Sequence, residues 1–251
     1  MKHHVFETEQ ELIAAFANYF IAQANECIKT HGIFHVVLAG GSSPKRVYEL
    51  LARPDYKEKV DWEKVYFFFG DERHVPADDP QSNGLMAERT LFLPLLIPGD
   101  HIFKIDTAYS PEESAEKYME AITGHFQKKP IHFDLILLGL GNDAHTASLF
   151  PFTDVLSEKA ASVKAVYLKG EDVDRISMTA PLINQAKNIA FLVFGENKAK
   201  AVQQVMEGPH HPEQFPAQLI KPEKGEFHWF LDKAAAGYLS LPHPSSDMAE
   251  S

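Results

Sequence analysis

The chain has little cysteine, no long apolar run and no excess of positive charge, and each absence excludes a class of protein. Its 251 residues include one cysteine, Cys27, which excludes an internal disulfide and a structural zinc site built from cysteines. No run of about 18 apolar residues occurs, and "MKHHVFETEQELIAA" lacks the apolar core of a signal peptide. We therefore predict a cytoplasmic protein. The net charge of −11 argues against a general nucleic-acid or membrane-surface binder.

The composition that remains is typical of a globular protein, with 45% hydrophobic and 24% charged residues. Neither a repeat nor a long linker interrupts the chain. We predict one domain over residues 1–240, followed by a frayed tail, residues 241–251, that is rich in proline, serine and small polar residues. Cys27 continues the helical spacing of Phe16, Phe20 and Ala24, so we interpret it as buried packing.

Apolar runs alternate with helical patterns, which predicts an α/β fold. The runs "FHVVLAG", "VYFFFG" and "FDLILLGLG" are apolar at nearly every position, as expected of strands buried on both faces. Further strands are predicted at "AVYL", "RISMT", "IAFLVFG" and "FHWFLD". Helices are predicted at residues 9–28, 44–52, 84–91 and 111–128, and after residues 196 and 232. The result is a three-layer αβα sandwich with a mostly parallel sheet.

Ligands bind at the carboxyl ends of the strands in such sheets, and four loops follow strands here: "GGSSP", "GDER", "GLGNDAH" and "GENK". In the first loop, Gly41 allows a tight turn, and Ser42 or Ser43 can cap the next helix. The free N–H groups of such a helix start suit a phosphate. The Gly-Lys-Ser/Thr ending of a P-loop is missing. An ordinary capped turn is the alternative.

Charged residues occupy three other strand or helix ends. Asp71 and Arg73 follow a buried strand, where charges are costly unless they pair or bind a ligand. We expect Arg73 to bind an anion and Asp71 to lie near a sugar, although a solvated turn with an ion pair is the alternative. Arg175 begins a strand, and Lys198 lies in a first helical turn, where a cation opposes the helix dipole unless an anion offsets it. Surface positions are the alternative for both.

The stretch "GLGNDAHTASLFP", residues 139–151, supports two incompatible interpretations. Gly139, Gly141 and Ala144 match a dinucleotide-binding fingerprint, but the match lies in mid-chain and lacks the acidic strand end that should follow about 20 residues later. Asp143 and His145 instead form a spacing that suits a carboxylate orienting an imidazole for proton transfer. A capping or structural histidine is the alternative.

The other histidines are not expected to assemble. His3/His4 and His210/His211 are adjacent pairs in predicted loops, while Gly32 and a strand start separate His31 from His35. No His-Glu-x-x-His helix and no Gly-x-Ser-x-Gly motif occurs, so neither a catalytic zinc nor a serine-hydrolase nucleophile is predicted.

Taken together, the loops resemble those of the 6-phosphogluconolactonase family, in the superfamily that also contains glucosamine-6-phosphate deaminase. The matching stretches run from near residue 38 to near residue 239, and "HTASLFP" is the most specific of them. The resemblance implies a Rossmann-like fold without a nucleotide. It also implies hydrolysis of 6-phospho-D-glucono-1,5-lactone to 6-phosphogluconate, in the oxidative pentose phosphate pathway, with no metal and no cofactor.

The resemblance also implies roles for individual residues. His145 corresponds to the histidine regarded as the general base, with Asp143 orienting it, and Asp71 and Arg73 join them in the expected catalytic set. Phosphate binding is assigned to a second group of residues: Gly41, Ser42, Ser43, Arg175 and Lys198. The expected partner is a small sugar-phosphate lactone, bound by a monomer or small homo-oligomer that binds neither nucleic acid nor membrane.

A deaminase-like aldose–ketose isomerase is the main alternative. Deaminases carry an acid five residues after the Asp-x-His histidine, and this chain has Phe150 there. Ala144 departs from the lactonase pattern, which usually has glycine, and a positive φ at Ala144 would cost about 1 kcal/mol. An NAD-dependent oxidoreductase and a non-catalytic sugar-phosphate binding protein are further alternatives.

Overall fold

The computed structural model describes residues 1–127, 129–170, 172–222 and 224–240. The predicted tail, residues 241–251, and the end of the predicted helix at residue 128 lie outside this part of the chain. The single domain over residues 1–240 stays a prediction. The strands are β1 (Lys2–Phe6), β2 (Phe34–Leu38), β3 (Val65–Phe69), β4 (Asp71–Arg73), β5 (Leu135–Leu138), β6 (Val163–Val166), β7 (Arg175–Met178), β8 (Asn188–Val193) and β9 (Glu226–Asp232).

The helices that connect these strands vary greatly in length. They are α1 (Glu9–His31), α2 (Ser42–Leu51), α3 (Pro54–Lys57), α4 (Asn83–Ala87), α5 (Leu93–Leu95), α6 (Pro111–His125), α7 (Ala180–Ile183) and α8 (Ala199–Met206). A π-helical turn, Glu88–Phe92, joins α4 to α5. Short 3-10 turns lie at Trp62–Lys64, Gly99–His101, Asp154–Ser157, Glu196–Lys198 and Pro216–Leu219.

Six strands form one parallel sheet in the order β1-β9-β8-β5-β2-β3. Helices flank this sheet, which confirms the predicted α/β sandwich. Every residue of β2, β5 and β8 is buried, as expected of strands covered on both faces. The helix α1 buries an apolar stripe that includes Cys27, which is 1% exposed, so the interpretation of Cys27 as buried packing is confirmed.

A second, antiparallel sheet has the order β4-β7-β6. The sequence placed "GDER" in a loop, and this was wrong, because Asp71–Arg73 pairs with the start of β7. The strand β1 was missed, since "KHHVF" is not apolar. The predicted helix after Asp232 is also wrong. Residues 233–238 form turns, in which the Asp232 carboxylate and carbonyl accept the Ala235 and Ala236 N–H groups.

The connection order places a topological switch point between β2 and β5. The chain proceeds from β2 to β3 in one direction, whereas β5, β8 and β9 follow in the other. A crevice opens outside the carboxyl ends of strands at such a point. The loops after β2 and β5 meet there, so the fold selects this edge as the place to look for a site.

Candidate active site

A cleft of about 380 Å³ lies at the switch point. Residues after β2, β5 and β8 form its floor, and the antiparallel β4–β7 pair supplies one wall. Of the nine residues that the sequence singled out, eight line this cleft: Gly41, Ser42, Ser43, Asp71, Arg73, His145, Arg175 and Lys198. The ninth, Asp143, lies against His145. The structure therefore brings together residues from five separate segments of the chain.

The turn after β2 presents the start of α2 to the cleft. Gly41 occupies the N-cap position with φ 98°, a left-handed conformation that glycine adopts without strain. No side chain caps this helix, so the expected capping by Ser42 or Ser43 was wrong. The N–H groups of both serines lie in the first turn, where helical N–H groups lack intrahelical acceptors. These donors remain suited to an anion.

Two arginines face each other on the wall of the cleft. Arg73 and Arg175 are directly opposed in the antiparallel β4–β7 register, where like charges repel. Arg73 Nη1 donates to the Gln81 carbonyl at 2.7 Å, and Arg175 Nη1 donates to the carbonyls of Val173 and Asp174. Both arginines line the cleft. An anion between the guanidinium groups would convert the repulsion into attraction.

Lys198 lines the cleft from the segment after β8. It ends the 3-10 turn Glu196–Lys198 and serves as the N-cap of α8, close to its predicted place in a first helical turn. Partial burial lowers the pKa of Lys198, and the Asp143 carboxylate opposes that shift. An anion in the cleft would favour the charged ammonium group.

The Asp143/His145 pair lies on a tight turn after β5. His145 Nδ1 is 2.5 Å from Asp143 Oδ1, and the Gly141 N–H donates to the His145 carbonyl at 2.8 Å. A Cβ at Gly141 would lie 2.1 Å from His145 Nδ1, so only glycine permits this packing. Gly141, one of the glycines that matched the dinucleotide-binding fingerprint, thus leaves room for the imidazole ring of His145. Ala144 has φ 63°, the positive value that the sequence left open.

The surroundings of the Asp143 carboxylate keep it ionised. Burial alone would raise the pKa of Asp143, but the hydrogen bond and charge of His145 outweigh it and hold the pKa below its ordinary value. Asp143 therefore stays ionised while it accepts the Nδ1 proton. This contact fixes the neutral imidazole in the tautomer whose lone pair is on Nε2.

Phe150 covers the other side of His145. The two ring centroids are 4.1 Å apart, with an angle of 32° between the ring planes. Phe150 is the position at which the deaminase alternative requires a carboxylate. An aromatic ring therefore contacts the imidazole where that chemistry needs an acid.

Asp71 and Glu72 have different surroundings although they are adjacent. The Asp71 carboxylate faces the cleft and accepts the Ser148 hydroxyl at 2.6 Å. Glu72 points away into a buried pocket, where it accepts N–H groups from Arg73, Asn83 and Gly84. Glu72 thus holds the start of α4, and the alternative of a solvated turn does not apply to it. Burial raises the pKa of Glu72, and these hydrogen bonds oppose the shift.

Sequence reasoning missed Asn83 and Ser148. Both are 1% exposed, and both line the cleft. Asn83 donates to the Asp71 carbonyl at 3.0 Å and packs so closely on Gly40 that a Cβ there would lie 2.0 Å from its Oδ1. The clue in the sequence was Gly40, which is required by this close approach.

Some of the remaining histidines do assemble, contrary to the prediction. His35 Nε2 lies 2.8 Å from His125 Nε2, and His31 Nε2 lies 3.2 Å from Asp134 Oδ1. These groups lie at the amino ends of β2 and β5, at the edge opposite the cleft. The two contacts join the ends of α1 and α6 to the residue before β5 and to β2, so no shared helical face is needed.

The chain matches known proteins over most of its length. The family model described as glucosamine-6-phosphate isomerases/6-phosphogluconolactonase covers residues 7–229. A 6-phosphogluconolactonase of Nostoc sp. is 38% identical over 242 residues, which cover 94% of this chain and 98% of the relative. Within the described residues, no helix is both long enough and apolar enough to cross a membrane.

Solved structures give the same result. The 6-phosphogluconolactonase from Trypanosoma cruzi superposes with a TM-score of 0.84 at 28% identity, covering 96% of this chain and 97% of that one. A monomeric glucosamine-6-phosphate deaminase has the same fold at 22% identity, with a TM-score of 0.81 over 94% of this chain and 99% of its own. On the family match and the identity to its relatives, this chain belongs to the family of glucosamine-6-phosphate isomerases and 6-phosphogluconolactonases.

Proposed function

We propose that the chain hydrolyses 6-phospho-D-glucono-1,5-lactone to 6-phosphogluconate, a carboxylic-ester hydrolysis in the oxidative pentose phosphate pathway. The observation that carries the proposal is the Asp143–His145 pair, 2.5 Å apart, with the Phe150 ring 4.1 Å from the imidazole. A base oriented by a carboxylate suits activation of water. Phe150 occupies the position at which a deaminase would need a carboxylate.

The phosphate of the substrate would bind to the basic side of the cleft. Arg175 and Lys198 line it, and the first N–H groups of α2, at Ser42 and Ser43, provide neutral donors beside Gly41. Holding the phosphate at one end places the lactone carbonyl toward His145. Positioning of this kind contributes several kcal/mol toward the barrier.

The chemistry requires one proton to move twice. Because Asp143 holds Nδ1, Nε2 is the nitrogen that takes a proton from water as its oxygen attacks the C1 carbonyl. The tetrahedral oxyanion then collapses, the bond from C1 to the ring oxygen breaks, and His145 returns the proton to that oxygen. The product is the open-chain acid, which ionises.

The oxyanion needs donors near C1. Arg73 is the first candidate because it lines the cleft beside Asp71. The Gly139–Asn142 turn supplies backbone N–H groups, but the Gly141 N–H is already donated to the His145 carbonyl. We therefore assign the oxyanion to Arg73, with Asp71 orienting the sugar from its position beside Ser148.

The experiment is a rate assay with freshly prepared lactone. The purified chain should accelerate hydrolysis well above the spontaneous rate, and it should release no ammonia from glucosamine 6-phosphate. Hydrolysis at the spontaneous rate together with tight binding of 6-phosphogluconate would instead identify a non-catalytic sugar-phosphate binding protein. Release of ammonia would identify a deaminase.

We propose further that the hydrolysis itself requires no metal or cofactor, and that the chain is one cytoplasmic domain, as a monomer or small homo-oligomer. Thermal unfolding with added ligands tests the cofactor part. 6-Phosphogluconate should raise the midpoint, whereas NAD should not. A rise with NAD alone would favour the oxidoreductase alternative.

A further inference from the structure

A cluster of three metal-ligating side chains lies at the amino edge of the parallel sheet, opposite the cleft. Cys27 and His31 are one turn apart near the end of α1, and Asp134 immediately precedes β5. The thiol sulphur, an imidazole nitrogen and a carboxylate oxygen all lie within 4.8 Å of one another. Elements distant in sequence thus converge on one point.

The carboxylate in this cluster is fixed by the backbone of β2. The His35 N–H donates to Asp134 Oδ2 at 2.9 Å, and the Asp134 N–H donates to the His35 carbonyl at 2.9 Å. Oδ2 is therefore occupied, while Oδ1 lies 3.2 Å from His31 Nε2. Carboxylates that bind metals are commonly held by second hydrogen bonds of this kind.

We infer that Cys27, His31 and Asp134 form a binding site for a zinc-like divalent cation. Thiolate and imidazole donors favour Zn²⁺ and Co²⁺ over Mg²⁺ or Ca²⁺. Around a tetrahedral ion with bonds of about 2.0–2.3 Å, ligand atoms lie roughly 3.3–3.7 Å apart. His31 Nε2 and Asp134 Oδ1, at 3.2 Å, are already at about this spacing, and all three ligand atoms lie within 4.8 Å of one another.

The burial of the three groups defines how an ion enters. Cys27 and Asp134 are buried, whereas the His31 side chain is 40% exposed. The ion therefore enters from the His31 side, and water occupies its fourth position. Burial and the neighbouring Asp134 carboxylate raise the pKa of the Cys27 thiol to about 12. Coordination displaces the thiol proton to solvent, and His31 binds through Nε2 with its own proton on Nδ1.

The alternative is that the three groups only hydrogen-bond to one another and fasten α1 to the sheet. Titration of the full-length, tag-free chain with Co²⁺ separates the two. Cys27 is the chain's one cysteine, so a thiolate-to-cobalt charge-transfer band in the near ultraviolet reports this residue. We expect the band to appear and Zn²⁺ to abolish it by competition.

The decisive variant is His31→Asn, because an exposed side chain can be changed without disturbing the core. It should weaken Co²⁺ binding at least about 10-fold and leave the turnover number for the lactone unchanged. His211→Asn, at another exposed histidine, is the matched control and should bind Co²⁺ like the parent. Cys27→Ser should lose the band and the rise in unfolding temperature caused by Zn²⁺. Absence of the band at saturating Co²⁺, or equal affinity in His31→Asn, would overturn the inference.

Discussion

Two aspartate–histidine pairs lie at opposite edges of the same parallel sheet. At the carboxyl edge, His145 Nδ1 is 2.5 Å from Asp143 Oδ1. At the amino edge, His31 Nε2 is 3.2 Å from Asp134 Oδ1. Both pairs join an imidazole to a carboxylate within hydrogen-bonding distance. Their surroundings, however, differ in every respect that matters for catalysis.

The carboxyl-edge pair borders a cleft that Arg73, Arg175 and Lys198 also line. The amino-edge pair lies beside a buried thiol and beside His35. The His35 N–H donates to the second oxygen of the Asp134 carboxylate. One pair can therefore act on an anionic substrate, while the other can bind only a small ion or fasten elements together. The comparison shows that the cavity and its charges, rather than the pair, determine function.

The largest expected effect is at His145. His145→Ala should lower the turnover number by about 10²–10⁴-fold, because a positioned base is lost, and should change KM little. His31→Ala removes the imidazole of the other pair and serves as the control. Steady-state kinetics on the lactone check this. Equal turnover numbers in the parent and in His145→Ala would show that the carboxyl-edge pair is no more catalytic than the amino-edge pair.

The cations around the cleft give the next effect. Arg175→Ala should raise KM by about 10- to 100-fold with a small change in turnover, since charge-assisted hydrogen bonds to phosphate contribute about 1.5–3 kcal/mol. Lys164→Ala, on the neighbouring strand β6 and paired with the partly buried Glu158, is the matched control. Arg175→Lys keeps the charge and should give an intermediate KM. An unchanged KM in Arg175→Ala and in Lys198→Ala would place the phosphate elsewhere.

A third, smaller effect depends on pH. Burial lowers the pKa of Lys198 below that of an ordinary lysine, so the ammonium is charged below this pKa and neutral above it. A bound phosphate favours the charged form, and affinity for 6-phosphogluconate should fall as the pH rises through that pKa. We expect a decrease of up to about 10-fold between neutral pH and roughly pH 10, measured by calorimetry.

The matched variant for the pH effect is Lys198→Arg, which stays charged over this range. Its affinity for 6-phosphogluconate should be nearly flat with pH. A decrease as steep as that of the parent would show that another group is responsible.

The parallel sheet was largely predictable, because continuous apolar runs identify doubly buried strands without knowledge of their partners. The errors came from contacts distant in sequence. The short β4 exists because Arg73 pairs with Arg175 across about 100 residues, and no local pattern encodes that register. The chain after Asp232 forms only turns, although the Asp232 carboxylate accepts the Ala235 N–H as a helix N-cap would.

The site was predictable where the reacting residues lie close together in the sequence, as Asp143 and His145 do. It was not predictable where a residue acts through distant contacts. Asn83 and Ser148 donate hydrogen bonds to Asp71 from other elements of the fold. The local sequences "QSN" and "TASL" do not indicate these contacts. The amino-edge cluster was missed for the same reason, because Asp134 meets His31 only after folding.

The two edges also differ in how their turns achieve a positive φ, and this gives the smallest effect. Beside His31, Gly32 supplies φ 91° without strain. Between Asp143 and His145, Ala144 adopts φ 63° and is 1% exposed. Its conformation costs about 1–2 kcal/mol, while its buried methyl group contributes about 0.8 kcal/mol.

Ala144→Gly should therefore change the free energy of unfolding by less than about 1 kcal/mol. Glycine loses the contacts of the methyl group and makes the unfolded chain more flexible, but relief of the backbone strain at φ 63° offsets both losses. Ala87→Gly is the control, since Ala87 is equally buried but has φ −65°. At Ala87 no backbone strain is relieved, so the lost methyl group and the added flexibility of glycine should destabilise the protein by about 1.5–2 kcal/mol. Denaturant unfolding of both variants measures the difference. Equal destabilisation at the two positions would mean that the catalytic turn stores no backbone strain, and that Ala144 is retained for its methyl contacts alone.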